Sequence, residues 1–235
     1  MNDMAKKRQK TAVVVGANAN LGSAIVKALK DKGWVVDPTW LGPDRPDGRK
    51  EESYKHLPPV IDLAVYVAGI NEISPTQDLS LEKWQSVMDT NLTGAFLFAK
   101  NAFEGMKASG GATFVAISSI NSVHPYPGRA AYTASKAGLE GLIRALAIEW
   151  GEHGISTHAI RLGHLKGLMK KLKTNPKLAG LLDAVVEETP LHTLIDPATV
   201  ASYILWLAEG GSRNISGCVI DFEPAYTINR YPIER

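Results

Sequence analysis

Apolar positions in this chain fall into short unbroken runs, separated by longer stretches in which they recur every three or four residues. The unbroken runs occupy Thr11–Val15, residues 34–36, residues 61–67, residues 112–117, residues 154–160 and Cys218–Phe222. Such runs, rich in β-branched residues and lacking alternation, suit strands buried on both faces of a parallel sheet. Helical periodicity covers residues 23–32 up to Gly33, residues 81–107, an Ala-rich stretch from Arg129 or Ala130, and a lysine-rich stretch over 164–188 interrupted by Pro176. Another helix is signalled from Pro197, with Asp196 as N-cap and Pro at its first position. Strands alternating with helices predict an α/β, doubly wound parallel sheet. Residues 40–60 are rich in Pro, Gly and charge, with one short helical candidate at 51–57, and predict a connection with little regular structure.

With 235 residues and 45% hydrophobic content, a single domain spanning residues 1–235 has enough chain for a sizeable core. A formal net charge of +2 gives no argument for nucleic acid. Cys218 is the sole cysteine, which excludes an intrachain disulfide and a cysteine-based metal cluster and fits a reducing, cytoplasmic setting. No metal site is expected. Residues 1–10 are basic, expected to be flexible, and lead into an apolar run too short for a signal peptide. No apolar run approaches the roughly 18 residues that span a bilayer, so no membrane partner is expected.

The first run ends in Gly16-Ala-Asn-Ala-Asn-Leu-Gly22, followed by a helical pattern. Strand, glycine turn and helix form the first unit of a dinucleotide-binding, Rossmann-like fold, in which backbone N–H groups and the helix N-terminus face a pyrophosphate. Later, Tyr132 and Lys136 lie four apart and share one helix face. An ammonium beside a phenol favours the phenolate and is expected to draw its pKa down from about 10. Ser119, at the end of the fourth run, is placed to donate to a carbonyl oxygen held against Tyr132. Together these outline a proton-transfer site.

Several motifs stand in order: the Gly16 to Gly22 turn, Tyr66-Val-Ala-Gly69, Asn91-Leu-Thr-Gly94, Ile117-Ser-Ser119, Tyr132-Thr-Ala-Ser-Lys136, Leu162-Gly163 and Ile215-Ser-Gly-Cys-Val-Ile220. In these the chain resembles the short-chain dehydrogenase/reductase family over nearly its whole length. The resemblance implies a tetrad of Asn91, Ser119, Tyr132 and Lys136. Tyr132 would be the general acid or base and Ser119 would polarise the substrate oxygen. Lys136 would lower the tyrosine pKa and hold the nicotinamide ribose, and Asn91 would organise a relay water. It also implies cofactor contacts from Gly16, Asn18, Asn20, Leu21, Gly22, Trp40, Ala68, Gly69, Tyr132, Lys136, Gly163 and Leu165. Substrate contacts fall on Asn121, His124, Tyr126 and His164.

Departures from the family pattern shape the remaining expectations. Val15 and Asn20 stand where Thr and Gly are usual, Tyr66-Val where Asn-Asn is usual, Leu162 where Pro is usual, and Gly167 where a threonine near the carboxamide is usual. A helix and a strand are missing after the second strand, so six parallel strands are expected rather than seven. An acid that would select NAD falls near Trp40, where none exists; Asp37 lies too early. Arg45, Arg49 and Lys50 follow, which favours NADP(H) slightly over NAD(H). Residues 164–190 are expected to form a substrate lid, with Leu165, Leu168, Met169, Leu172, Leu178, Leu181 and Leu182 on its apolar side. Lys166, Lys170, Lys171, Lys173 and Lys177 are candidates for steering an anionic substrate. The expected activity is NADPH-dependent reduction of a small-molecule ketone by a homotetramer or homodimer. The alternatives are an NAD-dependent alcohol or diol dehydrogenase, and a non-catalytic regulatory or scaffolding protein of the same fold.

Overall fold

The computed structural model describes residues 8–41, 43–167 and 179–229. Among them the apolar runs form β1 (Thr11–Val15), β2 (Val35–Val36), β3 (Leu63–Tyr66), β4 (Ala112–Ser119), β5 (Ile155–Leu162) and β6 (Cys218–Phe222). All pairings are parallel, in the order β2-β1-β3-β4-β5-β6. Alternate residues of each strand feed two cores. On one face Val13, Ala64 and Phe114 pack with α3 (Gly94–Ala108) and α4 (Ala130–Trp150). On the other, Val14, Val65 and Ile160 pack with α1 (Asn20–Asp31) and α6 (Pro197–Trp206). Two smaller helices are α2 (Leu81–Met88), which packs on α4, and α5 (Ala179–Glu188). This is a single-domain, doubly wound, Rossmann-like sheet.

The shortened connection is present as expected. Between β2 and β3 the chain makes 3₁₀ turns at Pro38–Trp40 and Glu51–Tyr54. Aromatic side chains cover the sheet there. Trp40 stacks on Tyr54 with ring centroids 5.1 Å apart, and Phe98 continues the ladder at 5.7 Å. Rings provide large apolar area per residue, which suits a connection too short to form a helix.

Three elements differ from the sequence reading. Helix α1 begins at Asn20 rather than residue 23, inside the glycine turn, with an extended Ala19 that offers no side-chain cap. The predicted helix over 81–107 is interrupted by a π-turn at Asp89–Thr93. The predicted helix over 164–188 does not include its first residues. His164 to Gly167 run irregularly, Leu165 forms a parallel bridge with Ile195, and the helix is found at Ala179–Glu188. Lys170, Lys171, Lys173, Lys177, Leu168, Met169, Leu172 and Leu178 lie outside the described residues.

The strand order reverses between β1 and β3, so their following loops part and leave a crevice at the carboxyl ends of the strands, where open α/β sheets bind ligands.

Candidate active site

Ser119 ends β4 and caps the 3₁₀ turn Ile120–Ser122, its Oγ accepting from Asn121 N–H at 3.2 Å. The Ser119 hydroxyl is also close enough to the Tyr132 phenol, which α4 presents, to act on its pKa. Lys136, one turn further along α4, is 3% exposed. Its Nζ donates to the Ile117 carbonyl at 2.7 Å and lies 5.7 Å from the Tyr132 ring centroid. Asn91 is fully buried in the π-turn. Its Oδ1 accepts from Ile70 N–H at 2.8 Å, and its Nδ2 donates to Ile70 O at 2.9 Å and to Ser135 Oγ at 3.0 Å. Ser135 in turn donates to the Tyr132 carbonyl at 2.7 Å. The widened turn lets Asn91 bond to groups outside its own helix, joining the loop after β3 to the first turns of α4.

Burial decides the charge states. It raises the Tyr132 phenol above its ordinary value, against the Ser119 hydrogen bond and the Arg129 charge. The expected lowering of this phenol by Lys136 is therefore not what governs it here: burial outweighs the groups that pull it down. Burial also draws Lys136 down to about 8, with the Glu140 carboxylate pulling the other way. A protonated phenol, a hydroxyl partner and a buried ammonium form a group able to hand a proton to an oxygen.

The glycine turn is closely packed against the rest of the chain. Gly16 has φ +92°, and a Cβ there would lie 2.6 Å from Ala68 N. A Cβ on Gly22 would strike the Gly16 carbonyl, and one on Gly69 would lie 3.3 Å from Lys136 Nζ. Gly16, Asn18, Trp40, Ala68 and Gly69 line one cavity of about 610 Å³, together with Arg45, Asp47 and Arg49. Leu21 turns its side chain into the core and has only its backbone to offer. Asn20 crosses to the far side, donating to Lys166 O at 2.7 Å. Gly163 packs on Glu223, and Leu165 is held by its bridge to Ile195.

Among the substrate candidates, Asn121 is buried and spends its amide on Ser119 Oγ at 3.3 Å, so it braces the serine rather than facing a pocket. His124 and Tyr126 line a cavity of about 1200 Å³ with Glu187, His192 and Tyr226. His164 stands behind Tyr126, its Nε2 3.1 Å from the phenol oxygen. Sequence reasoning did not single out Glu140, Ser118, Ser122 or Arg161, which bond together directly behind Lys136. Nor did it find Asp47, whose carboxylate forms two bonds with Arg49 at 2.9 and 2.8 Å. Asp47 followed two residues later by Arg49 was the available signal.

The fold and the known proteins that this chain is similar to define a nicotinamide-dependent oxidoreductase acting on carbonyl or hydroxyl groups. A family model described as enoyl-(acyl carrier protein) reductase matches residues 49–223, and the chain belongs to the short-chain dehydrogenase/reductase family. It is 32% identical to an acetoacetyl-CoA reductase of Rhizobium meliloti over 234 residues, covering 90% of this chain and 95% of that one. A putative gluconate dehydrogenase structure from Agrobacterium tumefaciens superposes with TM-score 0.80 at 27% identity, covering 92% of this chain and 95% of that one. The ligand-free aldohexose dehydrogenase of Thermoplasma acidophilum shares the fold, with TM-score 0.86 at 24% identity and 97% coverage of both chains.

Proposed function

We propose that this protein reduces a ketone to a secondary alcohol with NADPH. In this reading Tyr132 is the general acid, Ser119 polarises the substrate oxygen, Lys136 holds the nicotinamide ribose, and Asn91 organises a proton relay. The observation that carries it is the convergence of the Ser119 hydroxyl and the buried Lys136 ammonium on the Tyr132 side chain. The Tyr132 phenol, raised further by burial from an ordinary value of 10, is protonated at neutral pH and so has a proton to give in the reducing direction. The nicotinamide, when bound, supplies the hydride. The chain's part is to orient the ketone and to deliver the Tyr132 proton to its oxygen. Gly16, Asn18, Asn20, Leu21 and Gly22 would hold the pyrophosphate, Trp40, Ala68 and Gly69 the adenosine half, and Gly163 and Leu165 the nicotinamide.

Preference for NADPH is supported by Arg45, which lines the 610 Å³ cavity and has no ion pair among the described residues, while Trp40 supplies no acid there. A second reading, NAD-dependent alcohol oxidation, is favoured by Asp47. Arg49 holds its carboxyl down to about 2, so an anion suited to ribose hydroxyls lines the same cavity. The roomy cavity beside Tyr126 and the acetoacetyl-CoA reductase relatives together support a 3-oxoacyl thioester as the first substrate to try. A homotetramer in the cytoplasm completes the reading, and no helix among the described residues is long and apolar enough to cross a membrane.

The test is a titration with NADPH and NADH followed by nicotinamide fluorescence, repeated on Arg45→Ala. NADPH is expected to bind tighter, with Arg45→Ala weakening it roughly ten-fold and leaving NADH alone. Tighter NADH binding favours the second reading. Failure of both cofactors at millimolar concentration overturns hydride transfer. With acetoacetyl-CoA as substrate, Tyr132→Phe is expected to lose at least roughly a hundred-fold in turnover.

A further inference from the structure

Behind Ser119, Tyr132 and Lys136 lies a charged cluster that the proposed reaction does not use. Glu140, one helical turn after Lys136 on α4, is 3% exposed. Its carboxylate accepts from Ser118 Oγ at 2.7 Å, Ser122 Oγ at 2.6 Å, Arg161 Nε at 3.0 Å and Arg161 Nη2 at 2.8 Å. Ser122 has one hydroxyl proton, and the carboxylate is a stronger acceptor than the Ser119 carbonyl 2.8 Å away. Arg161, paired in register with Ser118 across the β4–β5 ladder, also bonds Asp221 at 2.6 Å. Burial pushes the Glu140 carboxyl up, but the bonds from Arg161, Ser122 and Ser118 outweigh it and hold the group ionised.

The two serines flank Ser119 on either side. One carboxylate therefore grips both shoulders of the Ser119 turn from the helix that carries Tyr132 and Lys136. A buried ion pair is a weak source of stability compared with apolar packing, so its value lies in the geometry it specifies. The geometry points to Glu140 as a positioning residue, which locks the Ser119 turn to α4 so that the serine hydroxyl meets Tyr132, with Arg161 compensating its charge. The inference rests on the roles proposed above for Ser119 and Tyr132.

The test pairs Ser118→Ala/Ser122→Ala, which spares the Glu140–Arg161 ion pair, with Glu140→Gln and Glu140→Gln/Arg161→Gln. Steady-state reduction of acetoacetyl-CoA by NADPH is measured across pH, alongside cofactor Kd and melting temperature. The serine double variant is expected to lose kcat roughly ten- to a hundred-fold, with NADPH Kd near wild type and a melting temperature lowered by several degrees for the two lost bonds. Around Lys136 the charged and titratable groups among the described residues are Tyr132 and Glu140 on its own helix and, behind Glu140, Arg161 from β5. Glu140→Gln should therefore also move the basic limb of the kcat profile to lower pH. Unchanged kcat in the serine double variant overturns the inference while leaving the proposed function intact.

Absence of turnover by the wild type, or a fully active Tyr132→Phe, overturns the proposed function instead. Hydrogen exchange over residues 118–126 then decides the inference alone. Faster exchange there in the serine double variant, with β1 unchanged, upholds the grip on the turn; no change removes it.

Discussion

His158 on β5 is fully buried, and neither ring nitrogen has a hydrogen-bond partner among the described residues. Burial lowers its pKa to about 4 from 6.5. Above pH 6.5 the imidazole is neutral in both folded and unfolded chains and adds no pH dependence. As pH falls from 6.5 toward 4 the unfolded chain takes up a proton that the folded one refuses, so stability drops, by about 3 kcal/mol at pH 4. Urea midpoints for the wild type should fall across this window, and His158→Asn should flatten the fall. A second pair of residues is coupled by contact. Asn20 donates to Lys166 O at 2.7 Å, and a Cβ on Gly167, at φ +90°, would lie 2.6 Å from the same amide nitrogen. Asn20→Ala should cost about 1 kcal/mol for the lost bond. Gly167→Ala should cost more, because it both displaces that amide and strains the backbone. The double variant should cost less than the sum of the two in thermal melts, since each change removes the same bond.

At the scale of elements, the π-turn at Asp89–Thr93 has the clearest consequence. Asn91 satisfies both backbone groups of Ile70 from inside a helix. Replacing it with Ala leaves an N–H and a carbonyl unpaired, and should lower unfolding free energy by roughly 2 kcal/mol. Hydrogen exchange at Ile70 should accelerate beyond what that global loss accounts for. This turn also marks where the sequence stops being legible. The strands could be read because unbroken apolar runs have few other uses, and α6 because Asp196 caps it, accepting from Ala198 N–H at 2.9 Å. Asn91 was recognisable as a site residue by resemblance, yet one extra residue in a helical turn barely disturbs an apolar period of three and four. The start of α1 was missed because Ala19 gives no capping signal. Glu140 was missed because a charge on an amphipathic helix ordinarily reads as solvated, and its partners on β4 and β5 are distant in sequence. Leu165 and Lys166 fit a helical period, but the bridge from Leu165 to Ile195 draws the backbone into an extended path.

For the whole molecule, the outer surfaces of α3 and α4 bear on both assembly and catalysis. Along α4 the residues turned outward include Ala137, Gly141, Ala145 and Ile148, a stripe of small side chains ending in an isoleucine that is 85% exposed. Phe96 on α3 is 46% exposed. Small residues let two helices approach closely, and large exposed apolar groups at the margin gain most from being covered. A self-complementary contact of this kind is the usual basis of a two-fold dimer, and two such contacts build a tetramer. Light scattering coupled to gel filtration is expected to give four times the 25.4 kDa chain mass. Ile148→Glu should shift it to a smaller species, because a carboxylate placed in that contact is desolvated without a partner. The opposite face of α4 carries Tyr132, Lys136 and Glu140, so in the proposed homotetramer a helix held straight by its neighbour would also hold the site. Turnover per chain in Ile148→Glu should therefore fall together with assembly and recover at high protein concentration. A wild type that is monomeric at micromolar concentration, yet fully active, would separate the two and leave the helix to be fixed by its own core alone.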